Sequence, residues 1–274
     1  MKGFLDYNNK RVVVSGCFSG MGEATARLLL DLGAEVHGLD YKESGLPLAS
    51  FTHVDLRDPA SVDAAADRLG GRVDALFNCA GLAQTSPPLE VMKVNYAGTR
   101  RLTEGVLPLM RPGGAIVTIA STAGMGWSQR MPLLMELVAI DSYDGVVEWC
   151  QSHADGLGQS YGYPLSKEAL IVWTMMTATR LIKRGIRMNC TLPGPTQTPM
   201  MVQFEAATPA SVLEAATQPI GRRALPEEQA GPLVFLNSDA ASYINGVALP
   251  VDGGFTGGLA TGQIDASFLS GAAK

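Results

Sequence analysis

The sequence predicts a doubly wound α/β domain, in which helices cover both faces of a parallel β-sheet. Short β-branched runs alternate with segments of helix length along most of the chain, which is typical of βαβ units. A glycine-rich turn follows the first of these runs, and the 274 residues include 46% apolar and 17% charged side chains. This length and composition fit one globular domain and exclude an intrinsically disordered chain.

Local patterns predict the elements of the amino-terminal half. Arg11 begins the β-branched run RVVVS, and a segment with helical periodicity follows it. A further helix begins after Asp58, because Asp is a favoured N-cap and Pro59 is a favoured first helical residue. In chain order we predict strand 11–15, helix 20–32, strand 35–40, strand 52–56, helix 59–69, strand 73–78 and helix 89–110.

The carboxy-terminal half continues the alternation, starting from the apolar run AIVTIA. In chain order we predict strand 115–120, helix 163–183, strand 187–192, helix 226–236 and strand 247–251. No repeat or linker divides the chain, so we expect a single domain over residues 1–274. Its tail, residues 255–274, is rich in Gly, Ala and Ser, and we expect it to be loosely held.

Charge and composition exclude several classes of protein. The 21 basic and 26 acidic residues give a net charge of −5, which disfavours nucleic acid or an anionic membrane as a partner. No apolar run approaches the roughly 18 residues that span a bilayer. The first ten residues lack the apolar stretch of a signal peptide, so we expect a cytoplasmic protein. The cysteines and histidines show no ligand-like spacing, so we expect no metal site.

The turn after the first strand is a candidate phosphate site. Its glycines follow the spacing G-x-x-x-G-x-G, which differs from the G-x-G-x-x-G dinucleotide fingerprint. The context nevertheless fits, since a strand precedes the turn and the N-terminus of a helix, with its unpaired N–H groups, follows it. The residues that we assign to a dinucleotide here are Gly16, Phe18, Ser19, Gly20, Met21 and Gly22.

Asp40 ends the second predicted strand, 18 residues beyond Gly22. An acidic residue about 20 residues after such a turn accepts hydrogen bonds from the adenosine ribose. A carboxylate at this point repels a 2′-phosphate. The sequence therefore predicts NAD rather than NADP as the cofactor.

A second group of residues, a tyrosine and a lysine with polar side chains nearby, is the candidate catalytic set. Tyr163 and Lys167 are one helical turn apart and share a face, and an ammonium near a phenol lowers the pKa of the phenol. Such a phenol exchanges a proton with an alcohol or carbonyl while hydride moves to or from nicotinamide. Y-x-x-x-K alone is frequent by chance. Further polar groups strengthen it, namely Ser121 beyond the fifth strand and Asn95 within a predicted helix.

Together these segments resemble the short-chain dehydrogenase/reductase family, over almost the whole chain from Gly16 to Gly254. The matching positions are residues 15–22, Asp40, 55–56, 78–81, Asn95, Ser121, 163–167, 193–198 and 251–254. The resemblance implies a Rossmann-like single domain and an oxidoreductase. Two departures are mild: Ser15 stands where threonine is usual, and Cys79 where asparagine is usual.

The resemblance also implies residue roles. Tyr163 is expected to be the general acid/base, and Lys167 to lower its pKa and hold the nicotinamide ribose. Ser121 is expected to hydrogen-bond the substrate oxygen, and Asn95 to hold a water that links Lys167 to solvent. The remaining cofactor residues implied are Asp55, Leu56, Cys79, Ala80, Gly81, Pro193, Gly194, Thr196 and Thr198.

An insertion of about residues 127–160 separates Ser121 from Tyr163, which are 42 residues apart. Residues 131–140 have apolar side chains on nearly every face of the segment, and the pattern of residues 144–153 predicts a second, short helix. We expect a lid over a bulky apolar substrate, with packing on the same or a partner subunit as the alternative. Residues 199–216 are expected to form the other side of the pocket. The candidate substrate contacts are Met125, Trp127 and Met200.

The insertion resembles that of a subgroup containing 3α-hydroxysteroid dehydrogenase/carbonyl reductase and coniferyl-alcohol dehydrogenase. This likeness implies hydride transfer between NAD and an alcohol, ketone or aldehyde, and a homodimer or homotetramer. A hydroxysteroid dehydrogenase/carbonyl reductase is the first hypothesis, and an aromatic alcohol dehydrogenase is the second. A nucleotide-binding sensor without turnover is the alternative from another class.

Overall fold

The computed structural model describes residues 5–157 and 161–265. A seven-stranded parallel sheet, in the order β3-β2-β1-β4-β5-β6-β7, forms its centre. The strands are β1 Arg11–Ser15, β2 Glu35–Asp40, β3 Ser50–His53, β4 Val73–Asn78, β5 Met110–Ile119, β6 Arg187–Pro193 and β7 Ala248–Val251. The chain order reverses between β1 and β4, and the crevice at such a switch point is where doubly wound sheets bind ligands. The predicted fold class is confirmed.

Helices cover both faces of the sheet. Those before the insertion are α1 Gly20–Asp31, α2 Pro59–Leu69, α3 Pro88–Met92 and α4 Thr99–Val106, with a π-helical turn at Lys93–Gly98 between the last two. The insertion contains α5 Met131–Val138 and α6 Tyr143–Leu157, preceded by a 3₁₀ segment at Thr122–Arg130. The remaining helices are α7 Gly162–Leu181, α8 Met201–Ala207, α9 Ala210–Ala215, α10 Pro226–Asn237 and α11 Phe255–Ala260.

The alternation of β1 explains the two cores. Val13 points into the cluster that α4 and α7 help to build, whereas Val12 and Val14 belong to the cluster on the side of α1 and α10. All three valines are fully buried. A strand buried on both faces reads as a continuous β-branched run, which is what the sequence has here.

Two predicted elements differ from the structure. The third strand ends at His53 instead of residue 56, although Val54 and Leu56 are buried beyond its end. Their alternating apolar side chains resemble a strand pattern, but they are buried beside the cleft described below and do not belong to the sheet. The helix predicted over 89–110 is divided by the π-helical turn Lys93–Gly98. At Gly98 a Cβ would lie 2.2 Å from the carbonyl oxygen of Leu56, so only glycine fits this close approach.

The insertion packs against the helical layer. Helix α5 lies against α7, and α6 lies against α3 and the π-helical turn. Leu134 and Leu137 are fully buried there. Residues 131–140 are therefore apolar because the protein core surrounds them, and none of the described residues from 127 to 155 lines the cleft described below. The predicted lid is wrong, and packing on the same subunit is the alternative that the structure favours.

The tail is more ordered than predicted. Helix α11 spans Phe255–Ala260, and Phe255 is buried. The prediction of a loose tail is wrong for this helix, because one aromatic anchor fixes an otherwise small-residue segment. Residues 266–274 of the predicted tail lie outside the described residues. Over the described ranges, no helix has the length and apolar character needed to cross a membrane.

Candidate active site

A cleft opens at the carboxyl ends of β4, β5 and β6. Ser121 follows β5, Gly194 follows β6, and Tyr163 and Lys167 enter from α7. An adjoining cleft runs past the ends of β1 and β2. Every cofactor residue assigned from the sequence lines one of these two clefts, except Gly20 and Gly22.

The first glycine turn is packed so closely that side chains are excluded. Gly16 has φ +74°, and a Cβ on it would lie 2.5 Å from the backbone nitrogen of Ala80. A Cβ on Gly22 would lie 2.0 Å from the carbonyl oxygen of Gly16. Ser15 Oγ accepts a hydrogen bond from the N–H of Cys79 at 3.2 Å, so serine holds the two strand ends together as threonine would. Gly22 therefore contacts the backbone of the turn on the side away from the clefts and allows the close approach of α1 to Gly16.

Asp40 is held by the backbone at the rim of the second cleft. Its carboxylate accepts hydrogen bonds from the N–H groups of Phe18 at 2.9 Å and Lys42 at 3.0 Å. The Lys42 ammonium lies 5.3 Å from the centre of the Phe18 ring. The loop that carries the phosphate-binding glycines is thus tied directly to the acidic residue that ends β2.

A second acidic residue of this cleft is already paired. Both carboxylate oxygens of Asp55 accept hydrogen bonds from Arg57, at 2.7–3.2 Å, and the pairing lowers the pKa of Asp55. The guanidinium also lies 5.5 Å from the centre of the Tyr41 ring. Arg57 and Tyr41 were not among the residues predicted from the sequence, although an arginine two residues after Asp55 is a possible ion-pair partner at short spacing.

Lys167 is buried at the floor of the first cleft. Its Nζ donates a hydrogen bond to the carbonyl oxygen of Ile119 at 2.8 Å and lies 5.5 Å from the centre of the Tyr163 ring. Only 4% of Lys167 is exposed, and this burial lowers its pKa from 10.5 to about 8. Buried ammonium groups lose favourable hydration, and this loss makes the neutral amine easier to form.

The pKa of Tyr163 is shifted from its ordinary value. Burial raises it, and a hydrogen bond between the Tyr163 and Ser121 side chains only partly opposes this effect. Burial makes the phenolate harder to form because it loses its hydration. The phenol is therefore protonated at neutral pH in the protein without cofactor, and a lowering of its pKa by Lys167 stays a prediction.

Ser121 is positioned by the segment that follows it. It is the N-cap of the 3₁₀ segment Thr122–Arg130, and its Oγ accepts a hydrogen bond from the N–H of Ala123 at 3.1 Å. That segment lies tightly on α7, since a Cβ on Gly124 would meet the Lys167 carbonyl carbon at 2.9 Å. Arg130 at its end pairs with the buried carboxylate of Glu168 at 2.9 Å. Ser121 and the α7 residues are thus held in one rigid unit.

Family models match most of the chain. The short chain dehydrogenase model matches residues 10–132, and the enoyl-(acyl carrier protein) reductase model matches residues 149–256. The chain is 36% identical to coniferyl-alcohol dehydrogenase of Pseudomonas sp. strain HR199, over 91% of this chain and 98% of that protein. It is 33% identical to 3-alpha-hydroxysteroid dehydrogenase/carbonyl reductase of Comamonas testosteroni, over 89% and 95%. The chain belongs to the short-chain dehydrogenase/reductase family.

Solved structures of the family agree with this assignment. The 3-alpha-hydroxysteroid dehydrogenase of Pseudomonas sp. B-0831, solved with NADH, superposes with a TM-score of 0.77 at 30% identity, covering 93% of this chain and 99% of that one. A short chain dehydrogenase of Burkholderia cenocepacia, solved with NADP, gives 0.71 at 25% identity, covering 91% and 99%. The protein is an oxidoreductase of the short-chain dehydrogenase/reductase type that acts on alcohols.

Asn95 occupies the π-helical turn and is fully engaged with protein groups. Its Oδ1 accepts from the N–H of Leu82 at 2.7 Å, and its Nδ2 donates to the carbonyl oxygen of Leu82 at 3.1 Å and to Ser166 Oγ at 3.3 Å. These bonds fix the loop after β4, which lines the cleft. The water-holding role expected from the family resemblance stays a prediction.

The predicted substrate contacts have a mixed outcome. Met200 lines the cleft, but Met125 and Trp127 do not and instead pack against the core. The sulfur of Met125 receives a hydrogen bond from Thr256 Oγ1 at 3.0 Å, so it faces α11 instead of the cleft. Substrate contact by Met125 and Trp127 stays a prediction, which their packing against the core does not support.

Gln84 was not predicted to line the cleft, whereas Thr208 and Leu213 fall within the segment 199–216 that was predicted to form one side of the pocket. Gln84 lies after β4, and Thr208 and Leu213 belong to the α8–α9 region. Gln84 and Thr208 are 124 positions apart yet hydrogen-bonded. No spacing rule links two loops at such separation, so only the tertiary structure brings these residues together.

Proposed function

We propose that this protein is an NAD-dependent dehydrogenase that oxidises an alcohol group on a bulky apolar substrate, or reduces the matching ketone or aldehyde. One observation carries the proposal: Ser121, Tyr163 and Lys167 share one cleft, and that cleft joins a second one whose rim holds Asp40. A proton-exchanging phenol beside a dinucleotide-sized groove is the arrangement that alcohol oxidation requires.

The residues present fit a dinucleotide. Gly16 and Gly20 carry no side chains that would shield the turn, so a pyrophosphate can approach the backbone and the N-terminus of α1. Ser19 caps α1 without a side-chain hydrogen bond, and the first N–H groups of the helix are thus available to an anion. When bound, NAD supplies the acceptor for the hydride that leaves the alcohol carbon.

Proton movement is assigned to the α7 residues. In carbonyl reduction, the protonated Tyr163 donates its O–H proton to the substrate oxygen, and Ser121 donates a hydrogen bond to the same oxygen. In alcohol oxidation the proton moves the opposite way and requires the phenolate. Lys167 is charged below its pKa of about 8, and its ammonium, 5.5 Å from the centre of the Tyr163 ring, stabilises that phenolate.

The preference for NAD over NADP rests on charge. Asp40 lies at the cleft rim and repels the 2′-phosphate of NADP. Two cationic residues line this cleft, and both have other contacts: Arg57 is paired with Asp55, and Lys42 lies over the Phe18 ring. The family member solved with NADH is also the more similar of the two structures described above.

The substrate class follows from the lining of the first cleft. Beyond the reacting groups, apolar side chains dominate it: Leu82, Met200, Met201, Phe204, Leu213 and Ala216. Methionines adapt well to flat hydrophobic ligands. Relatives named for a hydroxysteroid and for coniferyl alcohol support two candidate substrates, a 3α-hydroxysteroid and an aromatic allylic alcohol.

Formation of NADH from NAD with a panel of hydroxysteroids and aryl alcohols tests the proposal. The Tyr163→Phe variant is expected to lose turnover by at least a thousandfold while its affinity for NADH changes little. A wild-type protein that binds NADH but oxidises no alcohol would instead favour a nucleotide-binding sensor. Asp40→Ala is expected to reduce the preference for NAD, and equal use of NADP by the wild type would refute the charge argument.

A further inference from the structure

We propose that Gln84 and Thr208 form a second polar subsite in the substrate cleft, which binds an oxygen of the substrate other than the reacting one. This inference rests on the proposed function and narrows its substrate class. The substrate is then an apolar alcohol or carbonyl compound that carries a second hydroxyl or carbonyl group.

The two side chains meet from opposite walls of the cleft. Gln84 lies in the loop after β4, and Thr208 lies between α8 and α9. Gln84 Nε2 donates a hydrogen bond to Thr208 Oγ1 at 2.7 Å. Both residues are half-buried and line the cleft, and neither hydrogen-bonds with Ser121, Tyr163 or Lys167 within the described ranges.

The pair retains hydrogen-bonding capacity after bonding to itself. An amide offers one carbonyl oxygen and two N–H donors, and a hydroxyl both donates and accepts. One mutual bond leaves Gln84 Oε1 as an acceptor and the Thr208 O–H as a donor. Among the described residues neither of these groups has another protein partner. A ligand hydroxyl can donate to the amide oxygen and accept from the threonine at the same time, and a ligand carbonyl can accept from the threonine.

The apolar surroundings of the pair make its free hydrogen-bonding groups important for substrate binding. Apolar neighbours in the same cleft are Leu82, Met200, Met201, Phe204 and Leu213. A bulky substrate that fills such a cleft displaces water from the pair. Polar groups stripped of water without a new partner carry a penalty, so the cleft favours a ligand that returns the lost hydrogen bonds and disfavours one that is apolar throughout.

A second hydrogen bond between the same two walls allows substrate binding by the pair to be distinguished from a purely structural role in holding the walls together. Thr85 Oγ1 donates to Gln203 Oε1 at 2.8 Å, which links the same two walls. Thr85 does not line the cleft. If the Gln84–Thr208 bond served only to latch the walls together, removing the Thr85 hydroxyl would have the same effect on catalysis. Thr85→Val is therefore a matched control for Thr208→Val.

The experiment compares alcohols that differ in the second oxygen. One pair is coniferyl alcohol with cinnamyl alcohol, which lacks the ring oxygens, and the other is a 3α-hydroxysteroid with and without a 17-hydroxyl group. In the wild type we expect kcat/KM for the oxygen-bearing member of the accepted pair to be about tenfold higher, which two neutral hydrogen bonds can supply. In Gln84→Leu and Thr208→Val this ratio is expected to fall toward 1, chiefly through KM, whereas Thr85→Val keeps it.

Each other outcome is decisive. Equal kcat/KM for both members in the wild type, or a ratio that Thr85→Val reduces as much as Thr208→Val does, overturns the subsite while leaving the dehydrogenase intact. Turnover of none of the four alcohols, with NADH binding retained, overturns the proposed function itself. Thermal unfolding of each variant shows that it is folded, and the conservative Thr208→Val carries the test if Gln84→Leu is not.

Discussion

Replacement of Arg100 tests whether the insertion is part of the folded core rather than a substrate lid. Only 5% of Arg100 is exposed, and its Nη1 donates to the carbonyl oxygens of Val138 at 3.1 Å and Ile140 at 2.6 Å. Val138 is the last residue of α5, and Ile140 lies two residues beyond it. The guanidinium also pairs with Glu104 and Asp141, but Asp141 is 92% exposed, so that pair adds little.

The expected magnitude follows from these contacts. A hydrogen bond from a charged donor contributes about 1.5–3 kcal/mol, so the two carbonyl bonds give about 3 kcal/mol at the lower limit. Arg100→Met keeps much of the side-chain volume and removes the bonds. Because 1 kcal/mol shifts the melting temperature of a chain of this size by about 2–4 °C, we expect a decrease of about 6–12 °C.

Arg101→Met is the matched control on the same helix. Arg101 pairs with Asp63 at 2.6–2.7 Å on the surface, where Asp63 is 53% exposed, and such pairs contribute about 1 kcal/mol or less. Urea and thermal unfolding measure both variants. At 20 °C, kcat/KM of Arg100→Met is expected to stay within about twofold of wild type for bulky and small alcohols. Equal stability losses in the two variants, or a selective rise in KM for bulky alcohols, would refute this reasoning.

Three further predictions concern the site. In Gly22→Ala the new Cβ collides with the carbonyl oxygen of Gly16, so the Kd for NADH, followed by fluorescence, is expected to rise at least tenfold, whereas Gly257→Ala, which has open space, leaves it unchanged. Lys167→Met removes the buried ammonium. Burial lowers the pKa of Lys167 from 10.5 to about 8. Below pH 8 the buried charge therefore lowers the free energy of unfolding of the wild type by about 3 kcal/mol. Urea unfolding at pH 7 should therefore find this inactive variant more stable than wild type, with a gap that narrows from pH 8 to 10.5. Burial also raises the pKa of Glu168, so the folded state holds its proton to higher pH than the unfolded chain does. Wild type should lose stability relative to Glu168→Gln as pH rises above about 4.5, and a gap independent of pH would contradict this.

The chemistry-bearing residues were visible in the sequence because each obeys a short-range rule. Tyr163 and Lys167 are one helical turn apart, and Asp40 stands at a fixed distance from a glycine turn. The close packing between Gly16 and the loop at Ala80 was also indicated by glycine. Local geometry dictates these residue types, so a single chain is enough to find them.

The insertion shows where such reasoning fails. Residues 131–140 are apolar on nearly every side, and the same composition suits a lid over an apolar ligand and a helix buried against α7. Leu134 is fully buried, and the carbonyl bonds of Arg100 connect residues about 40 positions apart. The apolar pattern predicts that the segment is buried, but it does not predict which part of the protein or which ligand buries it.

The sequence by itself determined the sheet, the glycine turn and the identity of the acid, phenol and amine, since these depend on periodicity and spacing within one βα unit or helix turn. The three-dimensional packing alone decided that the insertion covers helices, that burial raises the Tyr163 pKa, and that Gln84 meets Thr208. Desolvation and contact across distant loops depend on which surfaces exclude water from each other, and no stretch of the chain carries that information alone.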